Sequence, residues 1–284
     1  MTNQIAVRIH CKPGDEFLCE AGCHIYNYEQ AGFAQLSGVV ARTVEGEYGV
    51  LRPEQLHGLI RPENDHLVRT RLVALENTHN RGAGRVQPFE YVEQICAWAH
   101  GNGLRTHLDG ARLFNAVAST KIPAHRWAEN FDTVSVCFSK GLGAPVGSAL
   151  CGSADFIYRA RRLRKMAGGG MRQAGVLAAA ASYALDHHID RLADDPSGHA
   201  ADQRLPGRQE APPVSQREFD RRESTGTEDR AGDHDAGCRL LLDHEPGREA
   251  LPGRHGVQPP LEEGPGDADN HVHPEPDEEV PPVA

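Results

Sequence analysis

Between Met1 and Asp195, short apolar runs rich in β-formers alternate with runs whose apolar residues recur at helical spacing. That alternation is the signature of a parallel sheet covered by helices, an α/β architecture. The clearest strands are Leu72 to Leu75, Leu104 to Leu108, Thr133 to Phe138 and Ser148 to Cys151, each bounded by polar or glycine-containing segments. Pro53 and Pro88 stand where proline favours a first helical turn. Phe89 to His100 places Phe89, Val92, Ile95, Cys96 and Trp98 mostly on one helical face. Ala154 to Met166 and Met171 to Leu192 read as two further helices, separated by Gly168, Gly169 and Gly170.

Beyond residue 195 this periodicity stops, and composition explains why. From Pro196 onward only 13 of 89 residues belong to the VILMFWYC set, while 13 of the chain's 19 prolines fall there. Such a stretch buries too little apolar surface to offset its ordering entropy, so residues 196–284 are expected to be a disordered tail. The tail carries 20 Asp and Glu against 9 Arg, leaving 20 acids and 21 bases before it, so the formal charge of −10 belongs to the tail. A nearly neutral N-terminal part offers neither nucleic acid nor an anionic membrane an electrostatic partner.

No stretch approaches the roughly 20 consecutive apolar residues of a membrane helix, and the first residues lack a signal-peptide plan, so a cytoplasmic protein is expected. Seven cysteines at irregular spacing fit reduced thiols better than a disulfide framework. Cys19, Cys23 and His24 are not accompanied by a second pair at zinc-ligand spacing, and no metal site is expected.

In open α/β sheets ligands bind beyond the carboxyl ends of the strands. Two segments there carry candidate chemistry. In His107-Leu108-Asp109-Gly110-Ala111-Arg112 a carboxylate leaves a buried strand and a guanidinium follows three residues later. In Ser139-Lys140-Gly141-Leu142-Gly143 a lone lysine follows an apolar strand, and glycines let backbone approach a bulky ligand. A desolvated lysine can attack an aldehyde, and a nearby carboxylate could hold the ring nitrogen of pyridoxal phosphate protonated. The same residues would equally serve as a structural Asp109–Arg112 ion pair and a solvated loop lysine.

Taken in order, several blocks resemble the threonine aldolase family of beta-eliminating lyases, which are fold-type-I pyridoxal-phosphate enzymes. They are Asn3-Gln4-Ile5-Ala6, His24-Ile25-Tyr26, Glu76-Asn77-Thr78-His79-Asn80, the His107 to Arg112 segment, Ser135 to Ser148, and Gly168 to Gln173. The resemblance covers Met1 to Asp195 and implies the large domain of an aspartate-aminotransferase-like fold. It also implies pyridoxal 5'-phosphate as cofactor and cleavage of L-threonine or L-allo-threonine to glycine and acetaldehyde. Lys140 would bond the cofactor aldehyde, Asp109 would pair with the ring nitrogen, and His24 would stack on the ring. Arg112 would lie near cofactor and substrate carboxylate, and Arg172, with Lys165 as a weaker candidate, would hold the phosphate. His24 or His66 would be the base for the substrate hydroxyl, and His79 a hydroxyl-facing or positioning residue. A homo-oligomer, dimer or tetramer, is implied as well.

The chain departs from that family at both ends. Members carry an upstream glycine-threonine turn that grips the phosphate, and here the chain starts just after it. Past Asp195 the family continues into a small domain bearing an arginine for the substrate carboxylate, where this chain turns to Pro/Arg/Gly/Asp-rich sequence. A shift of reading frame near Pro196 would account for the change. The alternatives to an active aldolase are an impaired or inactive fragment and another fold-type-I lyase.

Overall fold

The computed structural model describes residues 1–194; the expected tail and frame shift lie outside the described residues. In chain order the elements are α1 (Thr2–His10), β1 (Asp15–Glu20), α2 (His24–Asn27), α3 (Gly32–Ser37) and β2 (Val40–Val44). A 3-10 turn (Pro53–Leu56), β3 (Arg69–Glu76), α4 (Phe89–Gly101), β4 (Arg105–Gly110), α5 (Leu113–Thr120) and α6 (Ala124–Ala128) follow. The last are β5 (Thr133–Cys137), β6 (Ser148–Gly152), α7 (Ala154–Met166), α8 (Gly175–His187) and a 3-10 turn (Asp190–Asp194).

One six-stranded sheet runs in the order β2-β1-β3-β4-β5-β6. Its first five strands are parallel, and β6 returns antiparallel on β5. The mostly parallel α/β expectation therefore holds, with an antiparallel edge. Strand side chains point alternately to the two faces. Leu18, Val73 and Leu75 join a cluster with Val92, Ile95 and Ala99 of α4 and Trp127 of α6. Phe17, Cys19, Leu72 and Ala74 join a second cluster with Val7 of α1 and Phe33 of α3. Both faces are covered, which is why the inner strands read as continuous apolar runs.

Two strands escaped the apolar pattern. β1 reads DEFLCE, with acids flanking an apolar centre, yet all six residues are buried. Each acid has a partner: Asp15 takes Arg69 at 3.0 Å, Glu16 takes Arg61 at 2.8 Å, and Glu20 takes His79 at 2.8 Å. β2 is the polar edge strand, half-buried at best. The helix expected from Met171 to Leu192 is shorter. Gln173 has a φ of 53°, outside the helical region, so α8 begins only at Gly175. Past His188 the chain tightens into the 3-10 turn that buries Leu192.

α1 lies across the sheet and antiparallel to its strands. Its amino end reaches the carboxyl end of β4 through Asn3 and Asp109, and its last residue, His10, reaches Thr133 at the start of β5. No helix among the described residues is long and apolar enough to cross a membrane.

Candidate functional site

Three parallel strands deliver carboxylates at or near their carboxyl ends: Glu20 closes β1, Glu76 closes β3, and Asp109 stands one residue before the end of β4. Glu76 and Asp109 are register partners. Asp109 is only 5% exposed; its Oδ1 accepts the Ala111 N–H at 3.2 Å and its Oδ2 accepts an Asn3 N–H at 2.8 Å. Gly110 is required behind it, since a Cβ there would lie 2.7 Å from the Ser135 carbonyl oxygen.

Lys140 follows β5, the strand next to β4. The Phe138–Ala144 turn is closed by backbone hydrogen bonds, Ala144 N–H to Phe138 at 2.9 Å and Gly143 N–H to Lys140 at 2.8 Å. A Cβ on Gly141 would come within 2.4 Å of Asn115 Oδ1, so glycine lets this turn press on α5. Lys140 is half-buried, three residues beyond Cys137, which ends β5. Burial pushes the Cys137 thiol up, the Lys140 charge pulls it down, and the charges of Asp109 and Arg112 act on it with opposite signs. All three predicted charged groups thus lie near enough to this thiol to act on its charge. Arg112 also donates to Asn80 Oδ1 at 3.0 Å.

Two more buried carboxylates surround Asp109. Glu29 accepts an Asn3 N–H at 2.9 Å and a second hydrogen bond from Gln4. Glu76 accepts the His24 N–H at 2.7 Å and the Asn80 N–H at 2.8 Å. Burial foremost, then the charge of Asp109, pushes both glutamates above the usual carboxylate range. His24 opens α2, its ring stacked on Tyr28 and its Nε2 3.8 Å from Glu29 Oε1. The buried Asn77 Nδ2 has no hydrogen-bond acceptor. Repelling acids of this kind favour a ligand that brings positive charge and a donor. Among the described residues no cluster of His, Cys, Asp and Glu could hold a metal ion. A ligand ring whose nitrogen carries a proton would fit these acceptors, and the Lys140 amine would be available to an aldehyde on the same ligand.

His79 sits at the rim with both ring nitrogens engaged: Nε2 meets Glu20 Oε2 at 2.8 Å and Nδ1 accepts the Gly82 N–H at 2.9 Å. Burial and the Gly82 N–H at Nδ1 oppose its charge, while the hydrogen bond that it donates to Glu20 and the charges of Glu76 and Glu20 raise its pKa. Burial likewise opposes the Glu20 charge, and His79 with the Gly22 and Gly46 N–H groups lowers it. The Glu20 contribution to stability is present above the ordinary glutamate value and fades as pH falls through its lowered one. Unfolding measured against pH should therefore separate the chain from its His79→Leu variant most near neutrality, the gap narrowing as pH falls below about 4. A gap that does not narrow in acid would contradict a charged Glu20 held by the His79 N–H.

Other expected residues are not brought together. His66 is exposed in the loop three residues before β3, its N–H bonded to Asn64 Oδ1. It lies in the loop that enters β3, and the single chain does not bring it beside Asp109 and Lys140. Arg172 is exposed after the glycine run, and the Lys165 side chain lies over Gly170. Gly169 packs on Met1 beside the start of α1, whose first N–H groups have no partner in the preceding turn. Sequence reasoning missed Glu29 and the role of Glu76 and Asn3. The usable signal was an acid ending an apolar strand, as in Leu72 to Glu76.

The beta-eliminating lyase family model matches residues 1–222. The chain is 44% identical over 199 residues to the probable low-specificity L-threonine aldolase 2 of Arabidopsis thaliana, covering 69% of this chain and 56% of that protein. The structure resembles threonine aldolase from Leishmania major with a TM-score of 0.61 at 25% identity, covering 68% of this chain and 57% of that one. It resembles aspartate aminotransferase from Thermus thermophilus with a TM-score of 0.50 at 16% identity, covering 70% and 49%, a likeness of fold. The chain spans about half the length of the curated relatives it matches.

Proposed function

This chain belongs to the beta-eliminating lyase family, and on that premise we propose that it is the large domain of a pyridoxal-phosphate lyase of the threonine aldolase type. Its reaction would be the retro-aldol cleavage of L-threonine or L-allo-threonine to glycine and acetaldehyde. The observation that carries this reading is the placement of Asp109 at the end of β4 and of Lys140 just beyond the adjacent end of β5. When bound, the cofactor supplies an electron-accepting ring.

The chain's own residues would do the rest. Lys140 would hold the aldehyde carbon, Asp109 would accept the hydrogen bond of the ring nitrogen, and His24 would lie against the ring. The free N–H groups at the start of α1 form an anion-binding end, and Arg172 with Lys165 would complete the phosphate contact. Arg112, steadied by Asn80, would face the substrate carboxylate. The base for the β-hydroxyl would be His24, the one of the two candidate histidines that this chain places beside the acids, with Nε2 taking that proton directly or through water. Assembly as a homo-oligomer, dimer or tetramer, is supported by exposed apolar side chains on α7 and α8, Tyr158, Met166, Val176 and Tyr183. A cytoplasmic location goes with this reading.

The test is glycine release from L-threonine by the full chain supplied with pyridoxal phosphate. Glycine with acetaldehyde in equal amounts is expected. Cofactor binding without glycine would replace the reading with that of an impaired enzyme, and a different amino acid product would replace it with another lyase.

A further inference from the structure

Beneath Asp109 lies a line of buried polar groups that the reaction does not use. His10 Nε2 meets Thr133 Oγ1 at 2.8 Å, Thr133 Oγ1 meets His107 Nδ1 at 2.9 Å, and His107 Nε2 meets Asn3 Oδ1 at 3.1 Å. Asn3 Nδ2 then donates to Asp109 at 2.8 Å and to Glu29 at 2.9 Å. Ser135 Oγ donates to Asn3 Oδ1 at 2.7 Å.

The direction of every bond follows from the end of the line. A carboxylate only accepts, so the Asn3 amide must turn its nitrogen to the two acids and its oxygen to His107. His107 must therefore carry its proton on Nε2, leaving Nδ1 to accept from the Thr133 hydroxyl, whose oxygen accepts from His10. Charging His107 would remove that acceptor, and burial foremost, with His10 next, holds its pKa down at about 3. We propose that His107, acting through Asn3, is a positioning residue for Asp109, and that the line from His10 to Asn3 is a one-way donor chain fixing the carboxylate where the ring nitrogen would meet it. This rests on the pyridoxal-phosphate reading.

Imidazole nitrogen NMR of the full chain without cofactor should show His107 protonated on Nε2 and bare on Nδ1; the opposite tautomer would overturn the donor chain. Titration with pyridoxal phosphate should then show His107→Leu and Asn3→Leu each weakening binding about tenfold, the size of one lost buried hydrogen bond. His107→Gln, which keeps a donor at the Nε2 position, should bind within about threefold of the unsubstituted chain. The double leucine variant should bind no worse than either single one, because the two residues act in series. Additive losses, or equal losses with glutamine and leucine at 107, would assign His107 a packing role only. If the unsubstituted chain took up no cofactor, the functional reading would fall and the tautomer alone would judge the donor chain.

Discussion

Replacing Lys140 with alanine is expected to abolish the cofactor's absorption band at the edge of the visible and to lower threonine cleavage at least about 10⁴-fold. The reason is chemical: Lys140 follows β5, and the β4–β5 register sets the end of that strand beside the end of β4, which carries Asp109. The fold should survive. The turn carrying Lys140 is closed by the backbone of Phe138, Lys140, Gly143 and Ala144, and the side chain is half-buried rather than part of a core cluster. Removing the ammonium should also push the Cys137 thiol further up, since Lys140 is what pulls it down against burial. Far-ultraviolet circular dichroism, a cofactor titration and a glycine assay check the three parts. A variant that keeps the band would remove Lys140 from the site.

Asp109→Asn is expected to act with opposite signs on function and on stability. It keeps the shape but removes the charge opposite the ring nitrogen, and losing one preorganised electrostatic contact costs about 10²–10³ in rate. In the chain without cofactor the same change relieves the repulsion that helps hold Glu29 and Glu76 above the usual carboxylate range. Both glutamates should then ionise at lower pH, and denaturant unfolding near neutrality should show the variant as stable as the original chain or more so. Such a trade of stability for function is the mark of a charge retained for a ligand. A variant that loses stability and keeps cofactor affinity would make Asp109 a structural residue.

The parts of this molecule that the sequence exposed are those where one periodicity dominates. α7 matches its expected span, Ala154–Met166, and β4, β5 and β6 lie within a residue or two of theirs. β1 was hidden because its acids are buried against partners far along the chain, Arg69, Arg61 and His79, and such pairing leaves no local trace. Lys140, Asp109 and Arg112 were legible because strand-end chemistry is sequential. Glu29 and Asn3 were not, since Asn3 reaches Asp109 from α1, 106 residues away in sequence, and Glu29 joins it through Asn3 from the segment between α2 and α3, 80 residues away. The place of His66 was not legible, because a histidine's type says nothing about which edge of the sheet its loop occupies.

The central claim concerns one amine. The chain has four lysines, Lys12, Lys121, Lys140 and Lys165. Borohydride reduction of the chain loaded with pyridoxal phosphate, followed by peptide mass spectrometry, locates the bond. A single adduct on Lys140 is the predicted result; an adduct confined to any of the other three, or none at all, would contradict it.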